Sequence, residues 1–543
     1  MKSLITTLNA KFIHTAIAIR LLYVASYHDH DIDFKEYTIK DKLENIRDDI
    51  LSHNYDIVGF STYIWNVDYI RPLCKMLKEA KPEIILILGG PEVTYEPEHF
   101  IDTFEIDYVM SGEGEETWPQ LLTCLENKQK VNVKGVSYKG HITHEVACVD
   151  LKLVEALDSP YNLPEDEEDK DKRILYFETS RGCPFQCQYC LSSLEKGLRF
   201  FSEDYLKKQL DIICHSKAKT IKLLDRSFNA KVKHSIMILD YIFKNYTPGQ
   251  QYQFEINADV MQQPILDFIR DHAPKGLLRF EVGIQSTYEP TNKAVKRIQN
   301  FERLSEVVRE MMTFENCDLH LDLIAGLPYE SYDRFKISFN EVFAFRAKEL
   351  QLGFLKLLRG TSLRINADDY GYEYQEQSPY EMQSDHWMNE EDIKHIHIAE
   401  DMLEKYWNSG RFKRTMNEIM DHEESPFDFF HDLGIYYEQK GYKHIGYQLY
   451  ELFDCLDQYM NDPKYHNLLM QDYYPLFKTK PRRWFKSGVE NKKQVIHYLV
   501  ENYGLDQNLL FHYSIIEKID HRYMVIIYKD MKCSIEYYEV ESC

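Results

Sequence analysis

Three cysteines fall within eight residues at Cys183-Pro-Phe-Gln-Cys187-Gln-Tyr-Cys190, directly after an apolar run at 174–179 that reads as a strand. Spacings of three residues and then two bring three thiolates from one loop to adjacent corners of a small metal–sulfur centre. A tetrahedral zinc site wants a fourth ligand, and residues 173–213 hold no other Cys or His. The pattern favours a [4Fe–4S] cluster with one open iron over structural zinc or coincidence. Cys183, Cys187 and Cys190 are the expected metal ligands. The remaining eight of the 11 cysteines are scattered and read as small buried hydrophobes or idle thiols. An odd total in a chain of this size argues against a disulfide framework.

Charge narrows the partners. Lys and Arg number 65 against 88 Asp and Glu, a net −23, so nucleic-acid backbones and anionic lipid surfaces are repelled on average. The longest aliphatic run, at 84–88, is far short of the roughly 18 residues that span a bilayer. No membrane association and a cytoplasmic location are expected.

Residues 1–150 alternate strand-like runs (2–7, 55–61, 84–88, 106–110) with helical ones (14–27, 69–80), the pattern of a parallel sheet. The runs lead into turn segments, and doubly wound sheets bind ligands at that end. Residues 164–172 (PEDEEDKDK) are charged and proline-led, which suits a solvated stretch within an acidic linker at 151–172. From 173 to 365, six strand-like runs alternate with stretches long enough for crossover helices. That predicts a partial, open barrel. The last part, 366–543, reads as mainly helical and ends in a hairpin at 522–528 and 532–538. The expected fold class is α/β: an N-terminal doubly wound Rossmann-like sheet, a central partial (β/α)6 TIM-like barrel, and a mainly helical C-terminal region. His395 and His397 leave different faces of a helix and are expected on a solvated polar surface.

With its three-cysteine loop after the first strand of such a barrel, the chain resembles the radical S-adenosylmethionine (SAM) superfamily. The resemblance implies that SAM chelates the open iron and is cleaved reductively to a 5′-deoxyadenosyl radical. It places the backbone of Tyr189 beside the adenine, and Glu255 and Asn257, in Phe254-Glu255-Ile256-Asn257, on the ribose. Gln285, in Glu281-Val-Gly-Ile-Gln285-Ser286, resembles the fourth-strand segment that approaches SAM. Asp322-Leu-Ile-Ala-Gly326-Leu-Pro328 resembles the fifth-strand segment of cobalamin-associated members. The Gly-Gly-Glu common after the second strand is replaced by Leu224-Asp225-Arg226-Ser227-Phe228-Asn229. There Asp225 and Arg226 could engage the two ends of SAM by charge-assisted bonds.

Residues 1–150 resemble the cobalamin-binding domain of one branch of that superfamily. Four loops carry the likeness: Asn9 to His14, Ser61-Thr62-Tyr63, Gly89-Gly90-Pro91-Glu92 and Gly112-Glu113-Gly114-Glu115. The implied cobalamin contacts are Asn9, His14, Ser61, Thr62, Gly89, Gly90, Pro91, Gly112 and Glu113, the glycines letting the backbone approach a bulky ligand. The Asp-x-His-x-x-Gly motif is absent, so no histidine ligand to cobalt is expected. The resemblance implies a cobalamin-dependent enzyme, with methyl transfer to an unactivated carbon as the leading reading. The alternatives are a rearrangement or ring-forming enzyme with a vestigial or non-methylating domain, and a non-catalytic iron–sulfur or cofactor sensor. Expected partners are a small-molecule or peptide substrate and an external electron donor such as flavodoxin or ferredoxin. RNA methylthiolation is disfavoured by the acidic charge and by the lack of a second three-cysteine set.

Overall fold

The computed structural model describes residues 1–163, 170–195, 197–481, 489–519, 521–529 and 532–540. Most of the charged run expected at 164–172 lies outside the described residues, and Lys170–Lys172 form one 3-10 turn. The chain forms two compact units, one of Met1–Ser338 with Leu352–Glu390 and one of Phe339–Gln351 with Glu391–Cys543.

The first unit opens with β1 (Ser3–Asn9), β2 (Ile32–Thr38), β3 (Ile57–Ser61), β4 (Ile85–Gly89), β5 (Tyr108–Met110) and β6 (Val136–Tyr138). They form one sheet in the order β2-β1-β3-β4-β5-β6, parallel except for β6. The order 2-1-3-4-5 is the flavodoxin-like winding, which puts a ligand crevice beyond the ends of β1 and β3. β2 and β6 escape a sequence reading: β2 (IDFKEYT) is too charged to stand out, and β6 is only three residues long. The sheet packs on both faces. Leu4, Val58, Leu86 and Leu88 meet the helices Leu43–Ser52 and Val67–Ala80 on one side, while Ile5, Ile57, Ile87 and Trp118 fill the other.

Next come β7 (Ile174–Phe177), a small antiparallel ribbon of β8 (Ser180–Arg181) and β9 (Arg199–Phe200), then β10 (Thr220–Leu223), β11 (Gln251–Ile256), β12 (Leu278–Gln285), β13 (Cys317–Ala325) and β14 (Glu349–Phe354). The six longer strands order as β14-β13-β12-β11-β10-β7. Crossover helices such as Glu203–Cys214, started by the Ser202 hydroxyl accepting from Tyr205 N–H, return the chain to each parallel strand. Strand residues alternate strictly. Leu223, Phe254, Phe280, Val282 and Leu321 are buried to 3% exposure or less. Their neighbours Lys222, Glu255, Glu281, His320 and Asp322 share the opposite, polar face.

The free edge of β7 is met by the loop after β1. His14 bridges Ile174 in parallel register, Ile174 N–H donates to the Ile13 carbonyl at 2.6 Å, and the Thr15 hydroxyl donates to the Ile174 carbonyl at 2.7 Å. Buried Glu36 accepts from Arg20 at 2.9 Å, from Asn9 at 2.7 Å and from Arg173, so one carboxylate ties both sheets together. The unit closes with the short hairpin of β15 (Glu373–Tyr374) and β16 (Met382–Ser384).

Among its described residues the second unit is mainly helical, and it ends in an antiparallel sheet of β17 (Ser514–Ile519), β18 (Arg522–Lys529) and β19 (Lys532–Glu539). The hairpin expected at the C-terminus is there, with a third strand added; residues 530 and 531 of its turn lie outside the described residues. Leu403, Tyr406, Phe412, Phe430, Leu433, Tyr437 and Phe453 are among its core residues. His395, expected on a solvated face, keeps 33% of its side chain exposed and meets His431 at 2.6 Å. No helix among the described residues is long and apolar enough to cross a membrane.

Glu36→Ala leaves Arg20 and Arg173 without their shared carboxylate, and breaking such a buried pair costs about 3–5 kcal/mol. Urea denaturation should show that loss, and Glu36→Gln, which keeps the hydrogen-bond acceptor, should lose less.

Candidate functional site

The cysteine loop leaves β8 and ends in the 3-10 turn Leu191–Ser193. Gly182 has φ +88, and a Cβ there would strike the Gly197 carbonyl, so the β8–β9 ribbon closes over this turn only with glycine. Cys190 N–H donates to the Cys187 carbonyl at 3.1 Å. Cys187 is buried, while Cys183 and Cys190 are half-buried. Burial pushes the Cys183 thiol up, against hydrogen bonds from Phe185 N–H and the Ser227 hydroxyl, and the neighbouring Cys190 and Cys187 push it further. The thiols thus feel one another. Three thiols from one short loop are the donor set that a cuboidal iron–sulfur cluster takes.

The ends of β10, β11 and β12 converge beside this loop. Glu255 lies 3.8 Å from Arg226. Burial raises the Glu255 carboxyl against the pull of Arg226 and Lys222. Asn257 is held on three sides: its N–H donates to Asn229 at 3.0 Å, its amide donates to the Ser227 hydroxyl at 2.8 Å, and its oxygen accepts from Arg297 at 3.3 Å. Gln285 has a left-handed backbone, φ 70, and its buried Oε1 has no hydrogen-bond partner. Strain together with an orphaned acceptor at a strand end fits a site waiting for a donor from a ligand. Tyr189 puts its hydroxyl 3.5 Å from Arg297.

Asp225 turns inward. It is 1% exposed and accepts from Thr179 N–H at 3.1 Å, the Thr179 hydroxyl at 2.6 Å and the Ser180 hydroxyl at 2.5 Å. Its carboxylate therefore anchors the strand that feeds the cysteine loop. A charge at this position reads from sequence as a ligand contact, because burial is invisible there.

The loops of the first sheet gather at the ends of β1, β3, β4 and β5. Asn9 donates to the His14 carbonyl at 3.0 Å and to Glu36, fixing the loop between them. The His14 ring pairs with the Tyr176 hydroxyl at 2.7 Å, and burial lowers its pKa, helped by Lys11, Arg173 and Lys222. It does not cap the following helix, whose N-cap is Ala16. Ser61 and Thr62 are buried, and Thr62 N–H donates to the Gly89 carbonyl at 2.7 Å. Gly90 and Gly112 have φ +106 and +98. A Cβ on Gly90 would lie 2.6 Å from the Thr62 carbonyl, and one on Gly112 would lie 2.6 Å from Ala147 N. Neighbouring backbone by itself thus requires glycine at both positions. Pro91 is exposed. Exposed Phe12 and Ile13 on the β1 loop and Trp65 on the β3 loop, stacked on Tyr63, offer apolar surface beside the β1–β3 crossing. The Ser111 hydroxyl after β5 is buried without a partner. A flat, largely apolar ligand with polar edges fits these groups.

Two arginines join the strand ends of both sheets. Arg181, two residues before Cys183, contacts Glu115 at 2.6 Å, Glu178 at 2.9 Å and Glu113 at 3.7 Å. Glu113 also takes Arg199 and Val149 N–H. Burial alone would lower the Arg181 pKa, but Glu178, Glu115 and Glu113 together hold it well above its ordinary value. Arg359, after β14, reaches Glu92 at 3.3 Å, Glu96, and His99 at 3.3 Å, and the Tyr380 hydroxyl also donates to Glu92. Glu113 is therefore an ion-pair residue of the junction. Sequence reasoning missed Arg181, Arg359 and Arg297; the only signal for Arg181 was its place in Thr-Ser-Arg-Gly-Cys.

Arg181→Met strands buried Glu115 and should cost on the order of 3–5 kcal/mol, read as a lowered urea midpoint of the apoprotein. A second outcome concerns pH. Burial first of all raises the Asp225 carboxyl from 3.8 to about 6, so the folded state binds this proton more tightly than the unfolded one. Its contribution is full below about pH 4 and is lost as pH rises through about 6. The stability difference between wild type and Asp225→Asn should therefore shift against wild type over that window, by roughly 2–3 kcal/mol, and level off above it.

Residues 4–122 match the B12 binding domain, residues 177–342 the Radical SAM superfamily, and residues 368–539 the family described as protein of unknown function DUF4080. The chain is 24% identical over 301 residues to the cobalamin-dependent radical SAM methyltransferase TokK of Streptomyces tokunonensis, covering 52% of this chain and 44% of that protein. It is 29% identical over 231 residues to the uncharacterized methyltransferase PH0819 of Pyrococcus horikoshii, covering 40% of this chain and 50% of that protein. It thus spans about half the length of these relatives. The fold is similar to that of the cobalamin-dependent S-adenosylmethionine radical enzyme OxsB, solved with aqua-cobalamin and S-adenosylmethionine, at TM-score 0.57 and 15% identity over 86% of this chain and 78% of that one. The cofactors of this architecture are a [4Fe–4S] cluster, SAM and cobalamin. The chain thus carries a B12 binding domain and a Radical SAM domain, followed by a DUF4080 region.

Proposed function

We propose that the protein is a cobalamin-dependent radical SAM methyltransferase that acts on an unactivated carbon of a small-molecule or peptide substrate, with electrons from an external low-potential donor. One observation carries this reading: Arg181, on the strand that feeds the cysteine loop, is clamped by Glu113 and Glu115 from the end of β5. Two cofactors can act on one substrate only if their loops face each other, and this ion-pair junction joins the ends of both sheets. TokK, a cobalamin-dependent radical SAM methyltransferase, supports this reading, and OxsB, a cobalamin-dependent S-adenosylmethionine radical enzyme, supports its two-cofactor part.

When bound, the cluster and SAM supply a 5′-deoxyadenosyl radical and cobalamin carries the methyl group. Cys183, Cys187 and Cys190 would hold the cluster. Glu255, Asn257 and the orphaned Gln285 oxygen would accept hydrogen bonds from SAM, and Arg226 would offer its anionic end a cation. Phe12, Ile13 and Trp65 would exclude water from the corrin face. With its Nδ1 engaged by Tyr176, His14 works as a junction residue.

Anaerobically reconstituted protein, given dithionite and SAM, should form 5′-deoxyadenosine and retain hydroxocobalamin on equilibrium dialysis. The triple Cys183, Cys187 and Cys190 to Ala variant should hold no cluster and form no 5′-deoxyadenosine. His14→Ala should leave the visible spectrum of bound cobalamin unchanged. Failure of the intact, folded protein to bind cobalamin would overturn the methyl-transfer reading, and failure to form 5′-deoxyadenosine would overturn the radical one.

A further inference from the structure

We infer that Arg297 sets the reduction potential of the cluster by donating to the Cys187 sulfur. This inference rests on the radical SAM reading of the same site.

Arg297 lies outside every strand, in the segment between the helices Glu289–Ala294 and Phe301–Met312. Its guanidinium is fully engaged. Nε donates to Gln299 at 2.9 Å, Nη1 reaches the Cys187 sulfur at 3.8 Å and the Tyr189 hydroxyl at 3.5 Å, and Nη2 donates to Asn257 at 3.3 Å and to the Gly283 carbonyl. The fork has five N–H groups, and five acceptors surround it. None of these partners is a carboxylate. A half-buried cation with only neutral oxygen partners is costly unless an anion faces it, and the thiolate ligand at Cys187 is the anion within reach.

The backbone is shaped for this contact. Lys296, with φ 52, is one of the few non-glycine residues in the left-handed region, a conformation that side chains disfavour. The turn it makes lets Val295 accept from Gln188 N–H at 2.9 Å while the next residue, Arg297, reaches Cys187 and Tyr189. The two residues that flank Lys296 in this turn thus hold the cysteine loop, one by backbone and one by charge. Gly283 completes the arrangement: a Cβ there would lie 2.5 Å from the Gln285 amide nitrogen and 3.8 Å from Arg297 Nη2.

Reduction adds an electron to the cluster. A fixed cation and an N–H donor on a ligand sulfur stabilise the reduced state more than the oxidised one, and so raise the potential. Because its N–H groups are already engaged, Arg297 is a positioning residue and not a carboxylate-binding arm for SAM.

The test is an EPR-monitored redox titration of anaerobically reconstituted wild type, Arg297→Met, Arg297→Gln and Arg297→Lys, with iron and sulfide counted in each. Met and Gln variants with full iron should titrate at more negative potential than wild type, and Lys should lie between. Unchanged potentials at full iron content overturn the inference. Should Met lose its iron, the Lys and Gln variants decide: a lower potential for Gln than for Lys supports the role, and equal potentials overturn it. Loss of iron in all three with intact circular dichroism overturns it in favour of a purely architectural residue. A wild-type protein that takes up no cluster at all would instead sink the radical SAM reading.

Discussion

Charge pairing across the junction of the two sheets is the constraint on which the site depends. Arg181 and Arg359 each leave the barrel strands and end among carboxylates from the first sheet. Arg359 is 8% and Glu92 4% exposed in their side chains, which is where an ion pair is least screened and where an unpaired charge is most costly. Glu113, Glu115, Glu92 and Glu96 all follow strands of the first sheet, so the clamps grip it at its ligand-binding end. The β1 loop adds a third attachment by pairing with the open edge of β7. That edge would otherwise present unpaired backbone groups.

The cysteine loop inherits its position from these attachments. Asp225 holds Thr179 and Ser180 from below, Arg181 is clamped from the side, Gly182 makes the turn, and Cys183 follows. Four consecutive residues before the first thiol are thus committed to architecture. On the far side, Val295 and Arg297 take hold of Gln188, Cys187 and Tyr189. A loop with so few internal hydrogen bonds keeps one shape because its surroundings leave it no other.

The alternation of the barrel strands explains why polar side chains can line its inner face. Each strand buries one face against helices through residues such as Phe254 and Phe280, whose ring centroids lie 5.6 Å apart. The other face is then free to carry Lys222, paired with Glu281 at 2.8 Å, and His320, paired with Asp322 at 2.9 Å. Apolar packing on one side provides the stability that lets the polar side be arranged for ligands.

Much of this was legible in the chain itself. The cysteine spacing, the six barrel strands, the glycine-bearing turns and the C-terminal hairpin are all local patterns of a few residues. Period, turn chemistry and ligand spacing are properties of neighbouring residues, so the sequence alone determined them. The partners were not legible. Arg181 and Glu115 are 66 positions apart and Arg359 and Glu92 are 267 apart, and nothing in a linear charge pattern says which carboxylate an arginine will meet. For the same reason the burial of Asp225 against Thr179 and Ser180 and the backbone that crowds Gly90 and Gly112 could not be read from the chain, and Arg297 did not register at all. Burial and long-range pairing exist only once the chain has closed on itself, and those the tertiary structure alone decided.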